Sequence, residues 1–335
     1  MIAVSKVAGQ SGRWQEGLRE AITDPAELLS ALGLDPALHG PALEAASRFP
    51  LKVPRPFLAR ITRGDASDPL LKQVLPAEEE LEEAAGYVSD PVGDLASAEA
   101  PGLLHKYAGR ALLVATGSCA IHCRYCFRRE FPYGEQLASS GRFREALRRI
   151  AEDASLEEVI LSGGDPLSLS NARLAELGAG IEAIPHVRRL RIHTRHPVVL
   201  PARVDDGLLA WLGGLRLPVV VVIHTNHAAE IDREAETALA AMAARGVLLL
   251  NQSVLLRGVN DSVEALQALS ERLAEVRVLP YYLHQLDRVR GAAHFEVGDE
   301  QARELVDGLR TRLPGYLVPR LVREVPGERS KTPVA

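Results

Sequence analysis

Ala111-Leu-Leu-Val-Ala-Thr-Gly-Ser-Cys119-Ala-Ile-His-Cys123-Arg-Tyr-Cys126 is an apolar run leading into a loop that holds all three cysteines of the 335-residue chain. The run starting at Ala111 reads as a buried strand, and the cysteines follow it at Cys-x3-Cys-x2-Cys spacing. Three thiolates on one loop can take three corners of a cubane iron–sulfur cluster, for which Cys is the usual ligand. With no fourth cysteine in the chain, one iron is left for a ligand from outside the protein. Zinc held by the three cysteines and His122 is the alternative, but structural zinc sites favour paired Cys-x2-Cys knuckles. Cysteines acting only as small buried hydrophobes would not gather within one short loop.

Working outward, the chain after about residue 110 alternates strand and helix. Apolar strand patterns fall at 111–117, 158–162, 188–194, 218–224, 247–254 and 277–283. Between them lie helical patterns such as Phe143, Ala146, Leu147 and Ile150, at i, i+3, i+4 and i+7, and a last helix is expected near 299–313. The alternation predicts an α/β protein with a parallel sheet. An open doubly wound sheet and a partial barrel share this pattern, and both gather functional groups at the carboxyl ends of the strands. The cysteine loop lies at such an end. Before residue 100 the chain reads as helical and irregular. Asp24-Pro25 places a capping residue before a proline at the first helical position, with Leu28, Leu29 and Leu32 as one apolar face. The segment 48–57 is too proline-rich for regular structure. The acidic run Glu78 to Glu83 reads as a solvated helix face, and Pro91, Gly93 and Pro101 mark a linker.

Composition narrows the class. A 47% hydrophobic fraction with 25% charged residues fits a globular protein, and a formal net charge of −5 argues against a nucleic-acid surface. No signal-peptide pattern or membrane-length apolar run is present. Three clustered thiols fit a reducing compartment, and the expected location is cytoplasmic.

Two further stretches close strands. Leu161-Ser-Gly-Gly-Asp165-Pro follows the second, and paired glycines let a backbone approach a ligand closely. His224 ends the fourth strand and Gln252 sits in the fifth, each polar among apolar neighbours and in need of partners if buried.

The cysteine loop resembles that of the radical S-adenosylmethionine (SAM) enzymes, in which the open iron binds the amino and carboxylate groups of SAM. From about Phe49 to Lys331 the chain is similar to the lysine 2,3-aminomutase family, and within it to the bacterial branch acting in β-lysylation of elongation factor P. The resemblance implies a partial (β/α)6 barrel of radical SAM type over 106–313, preceded by a helical and irregular region, 1–105, and followed by a tail, 314–335. It makes Cys119, Cys123 and Cys126 the ligands of a [4Fe–4S] cluster. It implies SAM contacts from Tyr125, Gly163, Gly164, Asp165, His224 and Gln252; Tyr125 stands where clostridial-type members carry His. These enzymes also use pyridoxal 5′-phosphate (PLP), which needs a lysine and cationic groups for its phosphate. Pro326-Gly-Glu-Arg-Ser-Lys331-Thr-Pro matches the family's lysine motif, though it is less glycine-rich, so Lys331 is the implied catalytic Schiff-base lysine. Tyr107 and Arg110 are the implied partners of PLP, Arg110 by bidentate pairing with phosphate.

Arg128 matches the arginine that holds the substrate carboxylate, with Arg129 as the alternative. A buried lysine ε-ammonium needs carboxylates, and the resemblance supplies Asp287 and Glu324, the latter where other members carry Asp. The implied activity converts L-α-lysine to (R)-β-lysine with SAM reused. The implied partners are an external electron donor such as flavodoxin or ferredoxin and, indirectly, a ligase acting on elongation factor P. An aminomutase for another amino acid, such as glutamate, and a radical SAM enzyme without PLP are the other readings. Long members carry extra C-terminal cysteines that bind zinc between subunits; this chain has none, so zinc-linked assembly is not expected.

Overall fold

The computed structural model describes residues 12–136 and 142–334. Its centre is one ten-stranded sheet whose strands lie side by side in chain order. They are β1 (Ala98–Ala100), β2 (Leu103–Tyr107), β3 (Arg110–Thr116), β4 (Glu158–Gly163), β5 (Arg189–Thr194), β6 (Val219–His224), β7 (Leu248–Val254), β8 (Leu279–His284), β9 (Arg320–Arg323) and β10 (Thr332–Pro333). From β3 to β9 every neighbour is parallel. The antiparallel β1 and β2 flank one end and β10 the other. The sheet curls without closing, and the partial barrel of the sequence reading is the architecture found.

All six expected parallel strands are present. A seventh, β9, lies in the segment read as tail, and β10 pairs back on it. β1 and β2 fall in and across the edge of the region read as helical and irregular. These strands are too short to carry a two-residue periodicity, so only their pairing partners define them.

Between strands β3 and β8 the helices cover the outer face. Ala111, Leu113, Val159, Leu161, Leu190, Ile192, Val221 and Leu249 point outward into one core with Phe143, Ala146, Ile150, Leu177, Leu239 and Leu273. Side chains alternate across a strand, so Ser162, His193, His224, Gln252 and His284 face inward, where they line a cavity. That alternation explains polar residues in otherwise apolar strands. The helix Asp299–Arg312 lies close to its expected position.

The N-terminal region packs over the cysteine loop. Asp24 caps the helix Pro25–Leu32 through the Ala26 amide at 2.9 Å. Its Leu28, Leu29 and Leu32 join Phe57, Leu70 and Leu71 in a cluster that includes Ala120 and Ile121. Each fully buried leucine contributes roughly 1.5–3 kcal/mol, so this contact anchors the loop as well as the helices. In the acidic run Glu78, Glu79, Glu82 and Glu83 are exposed, as a solvated face would be, and Glu80 is the exception. Glu80, in a 3-10 turn over Glu78–Leu81, is 3% exposed. Its carboxylate receives Arg124 Nε and Nη2 at 2.7 Å each and Arg129 Nη2 at 2.6 Å. Two arginines of the cysteine loop are therefore tied to the N-terminal region through one buried acid.

Candidate active site

The inward-facing strand ends surround a cavity of about 320 Å³. Apart from the alternatives Arg129 and His122, every site residue named from the sequence lines it, from Cys119 at one strand end to Lys331 near the C-terminus. Around the cysteines the loop is held by Lys52 Nζ, which donates to the Cys119 carbonyl at 2.8 Å. All three cysteines are free of disulfides. Burial pushes the Cys119 thiol up, and that of Cys126 to about 11, so thiolates there need a positive partner. Among the described residues no three His, Cys, Asp or Glu side chains are grouped about a single metal ion.

Gly163, which ends β4, and Gly164 after it let the loop close on the strand end. The Gly164 amide donates to Thr116 O at 2.6 Å and the Asp165 amide to Ser118 O at 2.8 Å. A Cβ on Gly163, whose φ is +123°, would lie 2.4 Å from Thr116 O; one on Gly164 would lie 2.6 Å from Ser118 O. Only glycine lets the two strand ends approach this closely. The Asp165 carboxylate is also turned into the protein. It accepts from Thr194 Oγ1 at 2.7 Å and from the amides of Leu167 and Arg195 at 3.0 and 2.7 Å. Asp165 thus orders the loop ends. Tyr125 likewise gives its hydroxyl to the interior, between Gln73 Oε1 at 3.3 Å and Asn226 Nδ2 at 2.7 Å, leaving its ring as the surface toward the cavity.

Gln252 and His224 are different. The Gln252 side chain forms no hydrogen bond with a described residue, and His224 Nε2 is buried without a partner. Burial lowers the His224 pKa to about 4, so the ring is neutral at physiological pH. His193 and His284, not singled out from the sequence, share this state. Both have a buried unpartnered Nε2 on the cavity wall and pKa values pushed far down by burial. The signal for them was present in Ile192-His193 and Leu283-His284, a histidine interrupting an apolar strand near its carboxyl end, as at His224.

Arg128 donates Nε to Asp94 Oδ2 at 2.6 Å and Nη1 to Ser162 Oγ at 3.0 Å. Asp94 also receives Lys106 Nζ at 2.6 Å. This acid, hidden in a segment read as linker, fixes two cations of the wall. Arg129 points away to Glu80, which removes it as an alternative carboxylate holder. Glu324 Oε1 accepts the Tyr107 hydroxyl at 2.8 Å, and the Lys331 ammonium pairs with Oε2. Pairing of Thr332 with Arg323 and of Pro333 with Val322 sets Lys331 opposite Glu324. Burial lowers the Lys331 pKa to about 8, against an opposing pull from Asp287. Burial raises Asp287 to about 6 despite Lys331 and Lys106 nearby. Arg110 lies over the Tyr107 ring, 4.8 Å from its centre, and forms no ion pair with a described residue.

Residues 113–213 match the model of the radical SAM superfamily. The L-lysine 2,3-aminomutase of Escherichia coli (strain K12) is 47% identical over 322 residues, covering 96% of this chain and 94% of the relative. The chain belongs to the L-lysine 2,3-aminomutase family. The Haemophilus influenzae member is 44% identical, with 97% of this chain and 96% of the relative covered. The Clostridium subterminale member is 36% identical over 99% of this chain and 79% of its own length. Among solved structures, a radical SAM methyltransferase from Sphaerobacter thermophilus is 18% identical with a TM-score of 0.46, covering 66% of this chain and 68% of that one.

The cofactors of this aminomutase family are a [4Fe–4S] cluster, SAM and PLP. The side chains present fit them. Three free thiols share one loop at the cavity, the Arg110 guanidinium is left for a phosphate, and a lysine with a lowered pKa faces the same space. Three buried ring nitrogens without partners, on His193, His224 and His284, also call for ligand atoms.

Proposed function

We propose that the protein converts L-α-lysine to (R)-β-lysine. The observation that carries this reading is the placement of two carboxylates, Asp287 and Glu324, and one arginine, Arg128, on the wall of a cavity that also contains the three cysteines and Lys331. A glutamate site would not offer its substrate side chain two acids. When bound, the cluster and SAM supply a hydrogen-abstracting carbon radical, and PLP supplies the π-system across which nitrogen migrates. Cys119, Cys123 and Cys126 hold the cluster; His224 and Gln252 offer unpaired polar atoms to SAM.

Arg110, which lies over the Tyr107 ring, would pair with the PLP phosphate. Lys331, with its lowered pKa, would be the amine that anchors PLP. Arg128, kept rigid by Asp94, binds the substrate carboxylate. Asp287 and Glu324 would accept the ε-ammonium and so fix the substrate's orientation in the cavity. The longer Glu324 is steadied by the Tyr107 hydroxyl, so the extra methylene relative to Asp is held in place.

The reading includes a one-electron donor of the flavodoxin or ferredoxin class and a cytoplasmic location, where free thiols persist. It also includes delivery of the product to a ligase that modifies elongation factor P. The 47% identity to the Escherichia coli relative, against 36% to the clostridial one, supports this branch. Among the described residues no helix is long and apolar enough to cross a membrane. The test is anaerobic turnover with SAM, PLP and dithionite, offering lysine or glutamate and resolving the product by chiral chromatography. β-Lysine from lysine alone is the expected result. Turnover of glutamate but not lysine would overturn the roles of Asp287 and Glu324.

A further inference from the structure

A buried ion pair beside the cysteine loop has no part in the chemistry above. Arg195 follows β5 and is 6% exposed; Glu230 is 0% exposed. Arg195 Nη1 donates to Cys123 Sγ at 2.6 Å, and Nη2 donates to Glu230 Oε2 at 2.9 Å and to Gln73 Oε1 at 2.7 Å. The guanidinium cannot drift from the sulfur. Phe57 and Tyr125 flank it with ring centres at 5.6 and 5.8 Å, and the Arg195 amide is tied to Asp165 at 2.7 Å. Glu230 is just as fixed. Its Oε1 accepts the amides of Asn226 and His227 at 2.8 and 3.1 Å and Gln73 Nε2 at 3.1 Å. A general fold-stabilising pair would not need to aim one N–H at a cysteine sulfur.

Hydrogen bonds to the ligating sulfurs and local charge are among the features that set the reduction potential of an iron–sulfur cluster. A donor on sulfur favours the more negative, reduced state, and its effect is magnified where water is excluded. We infer, on the reading of the three cysteines as cluster ligands, that Arg195 raises the reduction potential of the cluster through Cys123, with Glu230 as the opposing charge. The step concerned is the addition of one electron to the 2+ cluster to give the 1+ cluster. No bond forms or breaks and no proton moves. The electron comes from a one-electron donor protein or, in the test, from dithionite. Arg195 acts through Cys123 and is a positioning residue, not a catalytic one.

The experiment is a mediated redox titration of the reconstituted full chain, followed by electron paramagnetic resonance of the reduced cluster, with iron and sulfide counted per chain. Arg195→Gln removes the positive charge and the sulfur contact. It is expected to lower the reduced-to-oxidised ratio at fixed potential about tenfold, a midpoint shift of about −59 mV for one electron. Glu230→Gln removes the opposing charge and is expected to shift the midpoint upward. Arg195→Lys keeps the charge and should fall between Arg195→Gln and wild type; it takes the place of Arg195→Gln if that variant loads no cluster. Opposite shifts for the arginine and glutamate variants support the inference. Unchanged midpoints, or shifts of the same sign, overturn it, because a merely structural pair has no reason to act with opposite signs. A wild type that binds no cluster would instead overturn the reading of the cysteines.

Discussion

At Lys331 burial is stronger than the carboxylates around it. Desolvation disfavours the ammonium, so the pKa falls from the ordinary lysine value to about 8. Fewer protons then have to be removed before the amine can join a carbonyl. About one chain in ten carries the neutral amine at pH 7, against about one in three thousand at an ordinary lysine pKa. The rate at which PLP-stripped protein takes up PLP, followed by absorbance, is therefore expected to climb with pH through about 8 and level off above 9. A climb continuing past pH 10 would mean an unperturbed lysine.

A second residue-scale prediction separates the neighbours Arg128 and Arg129. Arg128→Gln is expected to lower kcat/KM for lysine by roughly 30- to 150-fold, about 2–3 kcal/mol, in keeping with loss of a charged hydrogen bond. Arg129→Gln should leave substrate binding intact and cost folding stability, because its guanidinium is bonded to Glu80. Steady-state kinetics beside urea melts reads both.

At the scale of elements, the cysteine loop is shaped by what packs on it. β4 ends in Gly163 and is followed by Gly164 because the backbone of residues 116–118 leaves no room for a Cβ. Gly164→Ala is expected to destabilise the protein by roughly 1–3 kcal/mol, as overpacking does, and to reduce iron per chain by pushing on the cysteine loop. Thermal melts and iron analysis check both. From the other side, Glu80 neutralises the fully buried Arg124. Glu80→Gln leaves that charge uncompensated, at a cost of roughly 3–5 kcal/mol, measurable as a lower urea midpoint with unchanged slope. The sequence offered Glu80 as one acid among five in a run; its burial follows from a fold that brings residue 80 to residue 124.

For the whole molecule, the site depends on joining residues more than two hundred positions apart. β10 is two residues long and pairs antiparallel with β9, which itself extends the parallel sheet. That hairpin carries Lys331 back over the strand ends. Removing residues 332–335 is expected to abolish PLP binding while iron content stays at the wild-type level. Absorbance of bound PLP beside iron analysis would show it, and PLP retained in full would deny the hairpin this role.

The sequence by itself placed the cysteine loop at a strand end and the six long parallel strands, and the resemblance named a lysine, two acids and arginines that line the cavity. Those features are local: a spacing, a run of apolar residues, or a motif on contiguous chain. The tertiary structure alone decided which arginine faces the cavity, what Asp94, Glu80 and Asp165 are bonded to, and that three unpartnered histidines share one wall. It also decided how the tail returns. Each of these depends on desolvation and pairing between distant segments, and neither is written in the spacing of any one of them.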